Sequence, residues 1–219
     1  MLFSCASFSD GGEELSDGYE YTESDAIITL GSDMLDGVAL SFDGALLNSA
    51  LKDSYTAYKE YVPLYEEFKS GYLSMLSECV TSLIETTYPV IEEGVMLLSA
   101  TPGLILKDNG SLSDELYKIA FESVKNVLYR ELSAYSGTAD AFKASEKEFM
   151  ATRAVYANLS TIGLSYNLPI PEMADLAVVS EVGANMLFSH LSENETYLKN
   201  RSYDPASPYA FFWEGKNER

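Results

Sequence analysis

The sequence predicts an all-α fold: a single helical bundle-like domain of about six to eight helices behind a flexible N-terminal tether. Three observations predict it. Apolar residues recur in steps of three and four along most of the chain, which places them on one face of a helix. No stretch alternates polar and apolar residues for long enough to form a half-buried strand. Serine, threonine and aspartate side chains suited to capping stand ahead of the periodic runs.

In chain order, residues 1–23 form the tether. Runs such as Ser9-Asp10-Gly11-Gly12-Glu13-Glu14 hold too little apolar surface to fold. Thr22 or Ser24 caps the next segment, and Asp25 favours its N-terminal dipole. From Asp25 to Leu51 the apolar spacing is helical, but Gly31, Gly37 and Gly44 predict broken or closely packed helices. Tyr55 to Tyr61 is short and amphipathic. Pro63 opens the clearest helix, with Tyr65, Phe68, Tyr72, Met75/Leu76, Cys79 and Leu83 in one stripe. Pro89 marks a break near Thr87. Helix resumes over Val90 to Leu98 and ends in the turn Thr101-Pro102-Gly103.

Ser111 or Ser113 caps a helix with Leu112, Leu116, Ile119, Val124, Val127/Leu128, Leu132 and Tyr135 on its stripe. Ser136-Gly137 is expected to end it. Another helix covers about Ala139 to Leu159, and Asn167 to Pro171 is an extended link. The last long helix runs from Glu172 to about Arg201, with Leu176, Val179, Val182, Met186/Leu187, Leu191 and Leu198 on one side. The domain spans 24–215, and 216–219 is a charged tail. Tyr209-Ala210-Phe211-Phe212-Trp213 puts four aromatics in five positions. That surface is too apolar to leave in water, so the segment should fold back on the bundle with Phe212 or Trp213 buried.

Composition narrows the partners. The 219 residues carry a net charge of −20 and are 47% hydrophobic, a globular fraction. Phosphate backbones need a basic stripe, and none exists, so nucleic acid is excluded as partner. Adhesion of the bare domain to an anionic membrane surface is disfavoured for the same reason. Pro89 to Leu106, the most apolar stretch, contains Glu92, Glu93 and Pro102, so it does not read as a membrane span.

Cys79 sits on an apolar helix face and reads as a small buried hydrophobe. Cys5 reads differently. Leu2, Ser4 and Cys5 fit the end of a lipoprotein signal, in which an aliphatic residue, a small residue and the lipidated cysteine follow in order. Phe3 at the intervening position resembles the looser spirochaetal pattern. A signal peptide also needs a basic start and an apolar run of roughly 7–15 residues, so this reading expects that stretch upstream of Met1. The expected address is the cell envelope, lipid-anchored and periplasmic or surface-exposed, with the membrane reached through Cys5.

No catalytic constellation emerges. His190 is the single histidine, too few for a zinc site or for Glu-x-x-His di-iron pairs. There is no phosphate-binding glycine motif, so no metal and no cofactor are expected. Adjacent acids at Glu66/Glu67 and Glu92/Glu93 read as solvated faces. The 16 tyrosines are the unusual feature. Tyr65, Tyr72, Tyr129, Tyr135 and Tyr156 lie at helical spacing, and tyrosine suits half-buried grooves because one end is apolar and the other wet. They are the candidate groove for an apolar ligand or a protein partner.

The C-terminal helix carries a resemblance. Asp175-Leu176, Val179, Leu187-Phe188, Leu191, Glu193, Glu195, Leu198-Lys199 and Pro205 are similar to the closing segment of the bacterial domain-of-unknown-function family 4197. The acids are split by Asn194, Lys199 stands where that family has arginine, and Pro205 comes about three residues late. Glu23-Ser24-Asp25-Ala26 resembles the family's opening more weakly. The resemblance is specific over 172–213 and implies a helical, secreted or lipid-anchored bacterial protein without catalytic residues to carry over. Two functions are expected in order: a non-enzymatic binding or assembly module of the cell envelope, then a carboxylate-based hydrolase. A soluble cytosolic helical protein is the remaining alternative.

Overall fold

The computed structural model describes residues 21–38, 44–106, 110–159, 172–200 and 207–212; among them are seven α-helices, several short 3-10 turns and no strand. Residues 1–20 of the expected tether, Cys5 among them, the Asn167–Pro171 link, Pro205, Trp213 and the charged tail lie outside the described residues, as does the side chain of Tyr156, while Glu23, placed at the end of the tether, is the first residue of the first helix.

Thr22 opens the first helix. Its hydroxyl accepts the Asp25 N–H at 3.2 Å, and the Asp25 carboxylate accepts the Thr22 N–H at 2.9 Å. This reciprocal pair satisfies donors that a helix start otherwise leaves bare, and α1 follows over Glu23–Asp36. Gly37 closes α1 and leaves room for Asn194, whose amide donates to the Met34 carbonyl at 2.9 Å. The expected break therefore falls after Gly37, while Gly31 stays inside the helix. A Cβ at Gly31 would lie 2.6 Å from the Val95 methyls, so the glycine permits a close helix approach.

A 3-10 turn over Gly44–Ala50 leads to α2, Asp53–Thr56, and a second 3-10 turn, Ala57–Glu60. α3 spans Tyr65–Leu83 and buries Tyr65, Tyr72, Leu76 and Cys79, as the spacing predicts, with Leu73 and Val80 beside them. Met75 faces solvent, leaving the stripe to Leu76. After the 3-10 turn Ile84–Thr87, α4 covers Tyr88–Ser99. Pro89 sits in its first turn, where a missing N–H forfeits no helix bond.

Ser111 caps α5, Leu112–Ala134, by accepting the Asp114 N–H at 3.1 Å. Leu112, Leu116, Ala120, Val124, Leu128 and Leu132 form its buried line. Ile119 and Tyr135, expected on that line, are exposed. The expected stop at Ser136-Gly137 is also corrected. Tyr135 is the extended residue that breaks the helix, with φ −75° and ψ 122°, and Ser136 begins α6, Ser136–Leu159. Gly137 lies against the Tyr135 ring, which a Cβ there would strike. α7 runs Leu176–Lys199, starting four residues later than expected because Asp175 is its cap, accepting the Ala177 N–H at 3.0 Å.

α7 lies along α5 in the most extensive helix pairing. Gly183 brings them close, since a Cβ there would sit 2.7 Å from Leu128. α4 packs on α5 and α1, and α3 packs on α6. One continuous apolar core joins them, from Ile27 in α1 to Leu198 in α7.

Aromatic rings fill the end of the core beneath α2. Phe149 of α6 is fully buried and meets Tyr58 at 4.4 Å, Tyr55 edge-on at 4.9 Å and Phe68 at 6.0 Å between centroids. Tyr55 stacks on Tyr72 at 5.1 Å. Such pairs add about 0.5–1.5 kcal/mol beyond the area that they bury. At the C-terminus, the 3-10 turn Pro208–Phe212 folds back onto α1. Ala210 is buried, Tyr209 and Phe212 are half-buried against the core, and the Tyr209 hydroxyl donates to Asp33.

Two buried tyrosines give a paired test. The Tyr72 hydroxyl accepts the buried Ala174 N–H at 3.1 Å. The Tyr55 hydroxyl is buried without a hydrogen bond of good geometry, although Ser145 lies within its reach. Urea unfolding of Tyr72→Phe should show a loss of about 1–2 kcal/mol, because an amide is left unpaired. Tyr55→Phe should lie within about 0.5 kcal/mol of the parent. Equal losses would contradict this account.

Candidate functional site: an aromatic cleft beside a buried carboxylate

The structure divides the tyrosines expected to line one groove. Tyr65 and Tyr72 are enclosed in the core. Tyr129 and Tyr135, at 47% and 37% exposure, face solvent. Tyr129 follows the buried Leu128 by one residue and is thereby rotated off the inward face, while Tyr135 stands beyond the end of α5. These four residues form no common groove.

Other expected residues are placed simply. Cys79 is buried, and burial pushes its thiol pKa up. His190 stands on the α7 surface with its Nδ1 3.8 Å from Glu193. Among the described residues no group of three or more potential metal ligands occurs, and no helix is long and apolar enough to cross a membrane.

The buried acid is Glu195, 4% exposed, on the inward face of α7. Its carboxylate meets the N-terminus of α5. Oε1 accepts the Leu112 N–H at 2.7 Å and the Lys199 ammonium at 2.6 Å. Oε2 accepts the Ser113 N–H at 2.9 Å and the hydroxyls of Ser111 and Ser113 at 2.9 and 2.6 Å. A helix start offers bare N–H groups and the positive end of its dipole, and this carboxylate takes both. Lys199 donates also to the Gly110 carbonyl at 3.1 Å and lies 4.9 Å over the Phe212 ring. Burial by itself would raise the Glu195 pKa. Lys199 and the Ser113 donors outweigh it and hold the carboxyl below its ordinary range.

Above this clamp, α5 and α7 part into a cleft. Ser113, Asp114 and Tyr117 line one side; Asn185, Phe188, Ser189 and Ser192 line the other. Tyr117 stacks on Phe121 at 4.6 Å and meets Phe188 edge-on at 5.2 Å. Residues four apart on a helix lie one above the other. The Tyr117 face opposite Phe121 therefore points towards Ser113 and Asp114, into the cleft. Tyr117 is 42% exposed, while Phe188 is 5% exposed and forms the floor. The Tyr117 hydroxyl donates to Asn185 Oδ1 at 3.3 Å, which fixes the ring across the gap.

The sequence reading took Ser111 and Ser113 as alternative caps and Glu195 as one of two acids in the resemblance, without joining them. Tyr117 and Asn185 carried no expectation, and Phe188 entered only through the resemblance. The Tyr117-x-x-x-Phe121 spacing was the available signal, since it stacks two rings on one helix face. Compared with protein-family models, with curated proteins and with solved structures, the chain shows no match.

Removing the charge of Glu195 should weaken the clamp. Glu195→Gln places an amide among donors and leaves Lys199 without its partner, and urea unfolding at neutral pH should show a loss of about 3 kcal/mol. A carboxyl with a lowered folded pKa stabilises the fold above its unfolded pKa of about 4.3. That contribution declines as pH falls from there through the lower folded pKa. The gap between parent and Glu195→Gln should therefore narrow in that acid window. A gap that is constant with pH would contradict the charge's role.

Proposed function

We propose that this chain is a bacterial cell-envelope lipoprotein, anchored through Cys5, that acts as a non-enzymatic binding or assembly module. The observation that carries the reading is the division of labour between α5 and α7. The buried carboxylate is committed to five hydrogen bonds, four of which tie α7 to the start of α5 and one of which comes from Lys199 on α7 itself. The cleft beside it presents an aromatic face and polar side chains instead. An acid–base enzyme tunes a carboxyl pKa upward, towards its working pH. Glu195 is moved the other way, which favours binding over the hydrolase alternative.

The acidic tether after Cys5 and the lipoprotein-like Leu2-Phe3-Ser4-Cys5 supply the envelope part of the proposal. Kinship with family 4197 belongs to the same proposal. In its support, the residues that carry the resemblance include the α7 cap Asp175, the buried Leu187 and Phe188, and the clamp pair Glu195 and Lys199.

The protein purified from its own host tests this reading by intact mass and fractionation. The expected product begins at Cys5, carries diacylglycerol and an acyl chain, and leaves the membrane only with detergent. A soluble product with an unmodified Cys5 would overturn the anchored module and favour a cytosolic helical protein.

A further inference from the structure

Many serines and threonines in these helices bond to their own backbone. Ser82, Ser99, Ser133 and Ser180 each turn the hydroxyl back to a carbonyl three or four residues earlier, at 2.9, 2.9, 2.6 and 2.6 Å. Thr81, Thr152 and Thr196 do the same. Ser189 and Ser192, like other exposed helical serines here, make no such bond among the described residues and keep their hydroxyls in solvent. Both lie in the α5–α7 cleft. There the Asn185 amide N–H groups and the Asp114 carboxylate also lack a hydrogen-bond partner among the described residues. Four solvent-exposed polar side chains thus ring one open tyrosine face and are accessible to a ligand.

We infer that this cleft binds a neutral sugar ring, stacked on Tyr117 and hydrogen-bonded by Asp114, Asn185, Ser189 and Ser192. The inference rests on the reading of the chain as a binding module and names the ligand class. A pyranose presents an apolar C–H face and an edge of hydroxyls. The apolar face fits the exposed ring of Tyr117, braced from behind by Phe121 and from the side by Phe188. Each hydroxyl both donates and accepts. Asp114 offers acceptors, Asn185 offers donors, and the two serines offer both.

The alternatives fit less well. An anionic sugar would meet Asp114 and the field of a chain with net charge −20, with no cation among the lining residues to hold it. An organic cation would use the aromatic faces and Asp114, but would leave the Asn185 and serine donors unpaired. An apolar peptide would bury that polar rim at a cost.

Saturation-transfer NMR and calorimetric titration of the full-length protein test the inference. The probes are glucose, galactose, N-acetylglucosamine, maltotriose and chitotriose, with glucuronate and choline as charged comparisons. At least one neutral sugar should bind, and glucuronate and choline should bind at least tenfold more weakly. Equal affinity for a monosaccharide and its trimer identifies single-ring recognition; tighter binding of the trimer identifies a glycan chain as the source. Tyr117→Ala should weaken binding about tenfold, the size of one lost aromatic contact. Ser189→Phe, which fills the cleft from an exposed position, should abolish it. Tyr129→Ala, on an exposed tyrosine elsewhere on α5, should leave it unchanged. Circular dichroism checks that each variant is folded. Absence of binding to all five neutral probes, stronger binding of choline, or binding insensitive to both cleft variants would overturn the inference. Those results leave the mass of the lipidated chain unaffected, so failure of the sugar site and failure of the envelope reading are separately visible.

Discussion

The negative charge of Glu195, enclosed between α5 and α7, is the constraint on which the arrangement of the other helices depends. An unpaired carboxylate at that depth would be strongly unfavourable. It is accommodated because α5 begins at that point, with two amides and two hydroxyls pointing at it, and because Lys199 follows one helical turn later. Shifting α5 along its axis by one residue would remove these donors. The clamp therefore fixes the register of the most extensive helix pair, which apolar contacts such as Leu128 against Gly183 would tolerate in more than one setting. Through Lys199 the same group reaches Phe212 and the C-terminal turn on α1.

Much of the fold was legible in the sequence because helix periodicity is a local signal. The α3 stripe, the cap at Thr22 and the placement of Pro89 followed from neighbours within a few residues. What was not legible depends on long-range packing. Ile119 and Tyr135 fit the α5 spacing, yet solvent claims them because the buried line passes through Ala120 and ends at Leu132. Gly137 looked like a helix stop, but it lies in the first turn of the next helix, where lack of a side chain admits the Tyr135 ring. Phe149, the hub of the aromatic end, stood out in no local pattern.

The candidate site shows the same division. Tyrosine abundance pointed to a groove, but abundance cannot say which faces meet. Tyr65 and Tyr72 went into the core, while Tyr117 faces the cleft through its stacking on Phe121. The cleft also depends on the clamp beneath it. Ser113 belongs to both, since its hydroxyl and amide bind Glu195 while it lines the cleft. Holding α5 in register with α7 sets Tyr117 opposite Asn185 and Phe188, so a structural charge positions the walls of the cleft without entering it.

An NMR pH titration with Glu195 carboxyl carbon and the Leu112 and Ser113 amides as probes tests the clamp most directly. The account predicts that all three report one common midpoint below that of an ordinary glutamate, with the amide shifts lost together as Glu195 is protonated. A Glu195 midpoint at or above the ordinary glutamate value, or amides that do not follow it, would contradict the account.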